Sequence, residues 1–168
     1  MAWLVTLLAL AGVGAAPVPT SGRCRDGRIW TTSPSEQVRM LVLLNDVRRD
    51  EGRAGMLRQE VLDRMALAQA VDMACRDYFS HRNPERDSLE ERLDQVDDGA
   101  VPRWSHLAEV LGTSVTADRQ IDMWLRSRSH RRAVLERTHD RVGIASVRID
   151  RGSRYTTYWA VEFLAQRR

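Results

Sequence analysis

Residues 142–165 read VGIASVRID-RGSR-YTTYWAVEFLA, and this stretch decides the fold. β-branched residues recur in the first half, and β-branched and aromatic residues dominate the second, which is typical of β-strands. The polar turn residues 150–153 separate the two halves. The sequence therefore predicts an antiparallel hairpin made of strands 142–149 and 155–165.

Helical spacing replaces this strand pattern upstream of the hairpin. The sequence from Ser33 to Glu36 resembles a capping box and predicts a helix that runs to about residue 49. Its predicted apolar face consists of Val38, Leu41, Leu44 and Val47. A second helix is predicted over 59–78, where apolar residues recur at three- and four-residue intervals: Leu62, Met65, Ala66, Ala70, Met73 and Ala74.

Shorter elements follow in the middle of the chain. Ser88 and Glu91 form a second capping signal, for a helix over 88–96. Residues 104–110 are predicted as a strand, and 116–127 and 130–135 as helices. Helices followed by antiparallel strands indicate an α+β protein or an α–β–α layered domain.

The first sixteen residues form an apolar run that ends in small residues. This pattern is typical of a secretory signal peptide and is short for a membrane span. We expect a signal peptide at 1–15, an extended N-terminal arm at 16–33 and one domain at 34–166. The protein is then secreted or extracytoplasmic; an uncleaved N-terminal membrane anchor is the alternative.

The charge of the chain excludes one class of partner. All 26 basic residues are arginines, and the formal net charge is only +3, too small to indicate nucleic-acid binding. Six arginines nevertheless lie close together at 126, 128, 131, 132, 137 and 141. They form either a solvated helix face or a surface that attracts an anionic cell-envelope polymer or lipid headgroup.

The chain has two cysteines, Cys24 and Cys75. In an exported protein an even number favours a disulfide, which here would join the N-terminal arm to the second helix. The alternatives are that Cys75 is a free thiol in the core or, with less support, that one cysteine is reactive, since neither has a histidine nearby in sequence.

Three separated fragments carry the candidate functional groups. Each places a residue that can hold a proton or a metal beside an apolar stretch: His81 after Tyr78-Phe79-Ser80, Glu109 after Ala108, and His130 after the segment that begins at Trp124. A carboxylate among apolar neighbours needs a partner, so Glu109 is the candidate catalytic residue. His81 and His130 are the candidate metal ligands, since two histidines and one carboxylate suit zinc with a water in the fourth position.

The remaining histidines are weaker candidates. Strand alternation places His106 on the face of Ala108, opposite Glu109. His139 lies in a polar segment, and we expect it to be exposed. The chain has no His-Glu-x-x-His, Cys-x-x-Cys or Gly-x-Ser-x-Gly motif, so no single spacing identifies a metal or nucleophile site.

In their order and spacing the fragments resemble the CAP superfamily of cysteine-rich secretory, antigen 5 and pathogenesis-related proteins, in its bacterial exported branch. The resemblance covers about residues 37–165. Its fragments are 44–48 (LNDVR), 68–81 (from Ala68 and Met73 to Phe79-Ser80-His81), Ala108-Glu109, 124–131 (Trp, Ser127, His130, Arg131), 142–145 (VGIA) and 158–163 (Tyr-Trp to Phe).

This resemblance implies an α–β–α sandwich with a three-stranded antiparallel sheet between helical layers. It also implies a cleft lined by His81, Glu109, His130, Ser127, Trp124 and Tyr158. Ser127 stands where animal and plant members carry a second glutamate, and Tyr158 stands at the approximate place of their second histidine. Val110 and Val161 replace a common asparagine and a common glutamine.

Three functions follow as expectations. The first is a monomeric exported protein without catalysis that binds a small apolar or lipid-like ligand, or a cell-envelope partner, in this cleft. The second is a zinc-assisted hydrolase that uses His81, Glu109 and His130. The third is a structural or interaction domain with a vestigial cleft.

Overall fold

The computed structural model describes residues 21–101, 103–152 and 155–167. The predicted signal peptide and the first part of the arm lie outside these residues. The helices are α1 (Pro34–Asp50), α2 (Glu60–Arg76), α3 (Leu89–Val96), α4 (Ala117–Arg126) and α5 (Arg128–Val134). The strands are β1 (Ser21–Cys24), β2 (Gly27–Thr31), β3 (Leu57–Arg58), β4 (Trp104–Gly112), β5 (Arg141–Asp150) and β6 (Tyr155–Gln166).

A single mixed sheet lies at the centre, with the strand order β1-β2-β5-β6-β4 and with β3 paired to β5. The predicted hairpin is confirmed as β5 and β6, which pair along their length from Arg141–Leu164 to Asp150–Tyr155. The sheet has six strands among the described residues, whereas three were expected. The difference arises because residues 21–31 of the N-terminal arm form a hairpin that adds to β5, and because β3 adds a short parallel pair.

Helices cover both faces of the sheet, which confirms the sandwich. On one face α2 contacts β5 and β6, and α3 contacts β4. On the other face the core of α1, α4 and α5 packs on the opposite residues of the same strands. All six residues predicted for the apolar face of α2 are buried, with at most 1% exposure. Their small size lets the helix lie close to the sheet.

The predicted apolar face of α1 is only partly confirmed: Leu44 is fully buried and Leu41 and Val47 pack against the core, but the fully buried row is rotated on the helix. Met40, Leu44 and Arg48 are fully buried on it, at i, i+4 and i+8, whereas Val38 is 52% exposed. Arg48 explains the shift, because its guanidinium donates to the main-chain oxygens of Ala54, Val134, Glu136 and His139. A buried arginine needs such acceptors, and they lie on the side of the helix that faces the loop after α5.

Only one of the two predicted capping boxes forms. At α3 the hydroxyl of Ser88 accepts from the Glu91 amide and the Glu91 carboxylate accepts from the Ser88 amide, as expected. The prediction for Ser33 and Glu36 is wrong, since Ser33 makes no side-chain cap. Glu36 instead accepts a hydrogen bond from the main-chain amide of Ala117 at the start of α4, a tertiary contact that outcompetes the local one.

The two cysteines form a disulfide that joins β1 to the end of α2 across 51 residues of sequence. The predicted disulfide between the N-terminal arm and the second helix is therefore confirmed. It attaches the added hairpin to the helical layer. No helix among residues 21–101, 103–152 and 155–167 has the length and apolar character needed to cross a bilayer.

Candidate functional site

A cleft follows the edge strand β4 and brings the three sequence fragments together. One wall is the segment after α2, which carries Phe79 and His81. The floor is β4, with Glu109 and the residues up to its end. The other wall is the junction of α4 and α5, which carries His130.

Glu109 is the fixed centre of this arrangement, with a side chain that is 0% exposed. Its Oε1 lies 2.8 Å from Nδ1 of His81, and its Oε2 accepts from Nη2 of Arg92 at 2.9 Å. Arg92 comes from α3 and its side chain is only 8% exposed. The imidazole of His81 is 55% exposed and extends from this buried ion pair towards the cleft.

A second buried carboxyl group, Glu162, lies beside Glu109. The two residues are directly paired in the register of β4 and β6, and Glu162 is also 0% exposed. Cross-strand partners project from the same face of a sheet with their Cβ atoms about 5 Å apart. Sequence reasoning missed this residue, although a glutamate inside the apolar run from Trp159 to Leu164 needs a partner as much as Glu109 does.

The proton balance of this carboxyl pair follows from its surroundings. Burial, followed by the charge of Glu109 and a hydrogen bond with it, raises the pKa of Glu162 well above its ordinary value, and Arg92 opposes this only in part. Neither oxygen of Glu162 has a donor among the described residues. A protonated Glu162 that donates to the Glu109 carboxylate satisfies both observations, because one guanidinium balances only one of two buried carboxylates.

The apolar part of the cleft adjoins His130. A cavity of about 230 Å³ is lined by Phe79, Leu111, Gly112, Thr113, Gln120, Met123, Trp124, Ser127 and His130. Trp124 forms a buried wall, and its indole N–H donates to the main-chain oxygen of Leu111 at 2.7 Å. Burial, followed by the charge of His81, lowers the pKa of His130, so this imidazole is neutral at pH 7.

A second cavity of about 520 Å³ continues the first towards the start of α4. Its lining consists of Thr113, Ser114, Val115, Thr116, Arg119 and Met123. Thr113 and Met123 border both cavities, so the two form one groove. The groove runs from Val115 to His130, and none of its described lining residues is a carboxylate.

The cleft thus brings together His81, Glu109, His130, Ser127 and Trp124 from the sequence prediction. Tyr158 lies elsewhere, since it is 5% exposed and packs in the core between the sheet and α2. Its ring lies on the α2 face of the sheet, and Tyr158 is not among the residues that line the groove.

The other two histidines form a pair of their own. His106 lies on the face opposite Glu109, as predicted, with its Nδ1 2.7 Å from Nε2 of His139. The expectation that His139 is exposed is wrong: it is 1% exposed and stacks on Phe163. The ring lies against His106 and Phe163, where burial, followed by the charge of His106, lowers its pKa to about 4.

The donor set does not fit a zinc centre with three protein ligands. Both oxygens of Glu109 are engaged, one by His81 and one by the positive charge of Arg92. Within the part of the chain that the structure describes, no three histidine, cysteine, aspartate or glutamate side chains converge as metal ligands. His81 and His130 therefore stand as two imidazoles beside an apolar groove.

Comparisons with known proteins agree with this architecture. The model of the CAP, or cysteine-rich secretory protein, family matches residues 41–163. No curated protein matches the chain. An outer surface protein of Borrelia burgdorferi has a similar structure, with a TM-score of 0.70 and 15% identity over 82% of this chain and 98% of that one.

Two further solved structures share the fold. An extracellular protein of Bacillus anthracis that contains an SCP domain superposes with a TM-score of 0.67 and 15% identity over 87% of this chain and 59% of that one. A cysteine-rich secretory protein of Staphylococcus aureus has a TM-score of 0.61 and 18% identity over 80% and 40% of the two chains. The family match, the sandwich and the cleft agree, and the chain belongs to the CAP family of cysteine-rich secretory proteins.

Proposed function

We propose that this protein is an exported binding protein that holds a small ligand with an apolar body and a polar end in the groove along β4. The proposal rests on one observation, which is that an apolar groove lies next to two imidazole side chains. Ligand sites are commonly concave and apolar with a few converging polar groups, and the groove has that composition.

The walls of the groove supply apolar surface that the fold itself leaves uncovered. Phe79 is 54% exposed and Met123 is 48% exposed, although both side chains prefer burial. Covering part of such a side chain with a ligand is favourable by about 25 cal/mol for each Å² of apolar surface removed from water.

The polar end of the groove supplies hydrogen bonds without a fixed charge. A neutral His130 carries one N–H donor and one acceptor nitrogen, and Ser127 adds a hydroxyl. We expect the polar end of the ligand to lie here, within reach of the exposed imidazole of His81. Glu109 then acts through His81, whose ring it orients, rather than on the ligand.

Export is part of the proposal. It is supported by the apolar run over residues 1–16 and by the descriptions of the structural neighbours from Borrelia burgdorferi and Bacillus anthracis as an outer surface and an extracellular protein. The disulfide between Cys24 and Cys75 is typical of proteins that fold in an oxidising compartment.

The test uses 1-decanol, a neutral probe with a single apolar chain and a hydroxyl. Binding is followed by the NMR signal of the Trp124 indole N–H, which lies in the groove wall. We expect a saturable shift in the wild type and affinity about tenfold weaker in Phe79→Ala and in Met123→Ala, because tenfold corresponds to about 1.4 kcal/mol of lost contact.

Val38→Ala is the matched control, because Val38 is 52% exposed on α1 and does not line the groove. It should bind 1-decanol as the wild type does. The proposal fails if the wild type shows no saturable shift, or if Val38→Ala weakens binding as much as the groove variants do.

A further inference from the structure

A further cavity, of about 320 Å³, lies between α2, the segment 83–87 and α3, and is called the α2–α3 cavity below. It shares no lining residue with the groove along β4. Its lining combines the apolar side chains of Met65, Ala68 and Val96 with charged and amide side chains. Its size is at the lower end of the range that is typical of small-molecule sites.

Arg92 contributes buried donors without acceptors to this lining. Its side chain is only 8% exposed, and its Nη2 donates to Glu109 at 2.9 Å and to the main-chain oxygen of His81 at 3.4 Å. Its Nε and Nη1 have no acceptor among the described residues. Buried N–H groups rarely stay unpaired, because an unmade buried hydrogen bond is destabilising. An oxygen acceptor that enters the cavity would satisfy them.

Asp87 contributes the opposite charge to the same lining. Its Oδ2 accepts hydrogen bonds from the side-chain amides of Asn83 and Gln95, both at 2.9 Å, and it forms no ion pair among the described residues. The hydrogen bond from Asn83, followed by the one from Gln95, lowers the pKa of Asp87, so this group is ionised at pH 7. Both amides are uncharged, so the negative charge of Asp87 has no partner cation.

The other charges of the lining are occupied by one another. Arg76 binds Asp72 through Nη2 at 2.6 Å and Glu85 through Nη1 at 2.5 Å. This cluster therefore leaves the free donors of Arg92 and the carboxylate of Asp87 as the groups that a ligand can complement.

We propose that the α2–α3 cavity binds a small zwitterion, an amino acid whose carboxylate accepts from Arg92 and whose ammonium group binds Asp87. Its side chain lies against Met65, Ala68 and Val96. A carboxylate suits a guanidinium, whose donors form a fixed fork. A simple anion is disfavoured because Asp87 repels it, and a simple cation is disfavoured because it leaves the donors of Arg92 unpaired.

The experiment compares L-norvaline with two molecules that each lack one of its charged groups. Pentanoate lacks the ammonium group, and butylamine lacks the carboxylate. Each is titrated into the protein at low salt by NMR on the Nε–H signal of Arg92 and the side-chain amide signal of Gln95. We expect norvaline to bind at least tenfold more tightly than either fragment. The Arg92 signal should move with norvaline and stay in place with butylamine.

Two variants assign the binding to this cavity. Asp87→Asn should weaken norvaline binding about tenfold and should not weaken pentanoate binding, because only the partner of the ammonium group is lost. Ala68→Leu should weaken norvaline binding at least tenfold by filling the cavity, and Ala68 lies on the exposed side of α2, where the fold accepts a larger side chain. Asp94→Asn is the matched control, because Asp94 is exposed on α3 and does not line the cavity.

The absence of a saturable shift with norvaline overturns the inference. Equal affinity for norvaline and either fragment overturns it as well, and so does a loss in Asp94→Asn as large as that in Asp87→Asn. Because the cavity and the groove share no lining residue, these results are independent of the titration with 1-decanol. Failure of this inference and failure of the proposed function are therefore distinguishable.

Discussion

A buried group of two carboxyls and one guanidinium is formed by Glu109, Glu162 and Arg92. Glu109 and Glu162 are paired across β4 and β6, and Arg92 donates to Glu109. Arg92 balances only one negative charge and donates to Glu109, whereas Glu162 has no donor among the described residues, so Glu162 is the carboxyl that keeps its proton. Either glutamate can then serve as the counter-ion when the other is replaced.

This reciprocity predicts a non-additive response to mutation. At pH 7 we expect Glu109→Gln to cost about 1 kcal/mol, because Glu162 ionises in its place, and Glu162→Gln to be nearly neutral. The double variant leaves the buried Arg92 without a counter-ion and should cost about 3–5 kcal/mol. Urea unfolding of the four proteins measures the coupling, and additive losses would contradict the shared role.

Glu162 also predicts a pH dependence of stability. Its pKa is raised in the folded protein, so the folded state binds its proton more strongly than the unfolded chain does. The stability that this proton contributes is complete below the unfolded pKa of about 4.5 and is lost as pH rises towards the folded value. Relative to the wild type, Glu162→Gln should therefore gain stability with increasing pH above about 4.5 in urea titrations. A Glu162→Gln variant whose stability follows that of the wild type across this pH range would contradict the role of this proton.

For His139 we expect the stability of the protein to change with pH in the opposite direction. Burial lowers its pKa to about 4 in the folded protein, so only the unfolded chain takes up a proton as pH falls below about 6.5. Its contribution to stability is present above about 6.5 and is lost towards pH 4, by about 3 kcal/mol at most. In a Glu162→Gln background, His139→Gln should lower stability at pH 7.5 but flatten its decline between pH 6.5 and 4. An unchanged slope would show that His139 does not titrate in this window.

At the scale of elements, a very close approach joins α2 to the sheet. A Cβ atom on Gly143 would overlap the main-chain carbonyl of Leu62, so only glycine lets the helix lie against β5. Gly143 pairs with Glu162 on β6, so the helix that packs on Gly143 also covers Glu162. Contact between helix and sheet here is what removes the carboxyl pair from water.

Gly143→Ala should therefore destabilise the fold by about 3 kcal/mol or more, since the clash involves main-chain atoms that cannot rotate away. We also expect faster hydrogen exchange in α2, because the helix must lift from the sheet. Gly55→Ala is the matched control, as its Cβ would meet Asn45 at an ordinary 3.5 Å. Equal losses in the two variants would contradict the packing argument.

At the scale of the whole molecule, the N-terminal hairpin is joined to the sandwich by two kinds of contact. β2 pairs with β5 from Arg28 to Thr31, and Cys24 is bonded to Cys75 at the end of α2. The disulfide closes a loop of 51 residues, which restricts the unfolded chain far more than the folded one.

Replacing both cysteines by serine should cost about 2–4 kcal/mol of unfolding free energy. Because the hairpin lies at the edge of the sheet, we expect it to open before the sandwich does. Hydrogen exchange at the main-chain amides of β1 and β2 should increase most, while α2 and β6 keep their protection. Uniform loss of protection would show that the hairpin and the sandwich unfold as one unit.

Local patterns in the sequence were sufficient for the elements and the family. The alternation from Val142 to Ala165 predicted the hairpin, and the spacing from Leu62 to Ala74 predicted the buried face of α2, because strand and helix periods depend on near neighbours. The order of the fragments around His81, Glu109 and His130 indicated the family and three residues of the cleft. The cysteine count indicated the disulfide.

Tertiary structure alone decided which charged groups meet. Glu109 and Glu162 are far apart in sequence and become neighbours only through the register of β4 and β6. His139, in a polar segment, is buried because His106 and Phe163 surround it. Long-range register and burial set these pairings, and no local period encodes them. The sequence by itself therefore determined the elements and the family, whereas the fold determined the proton balance of the buried carboxyls and the shape of the groove.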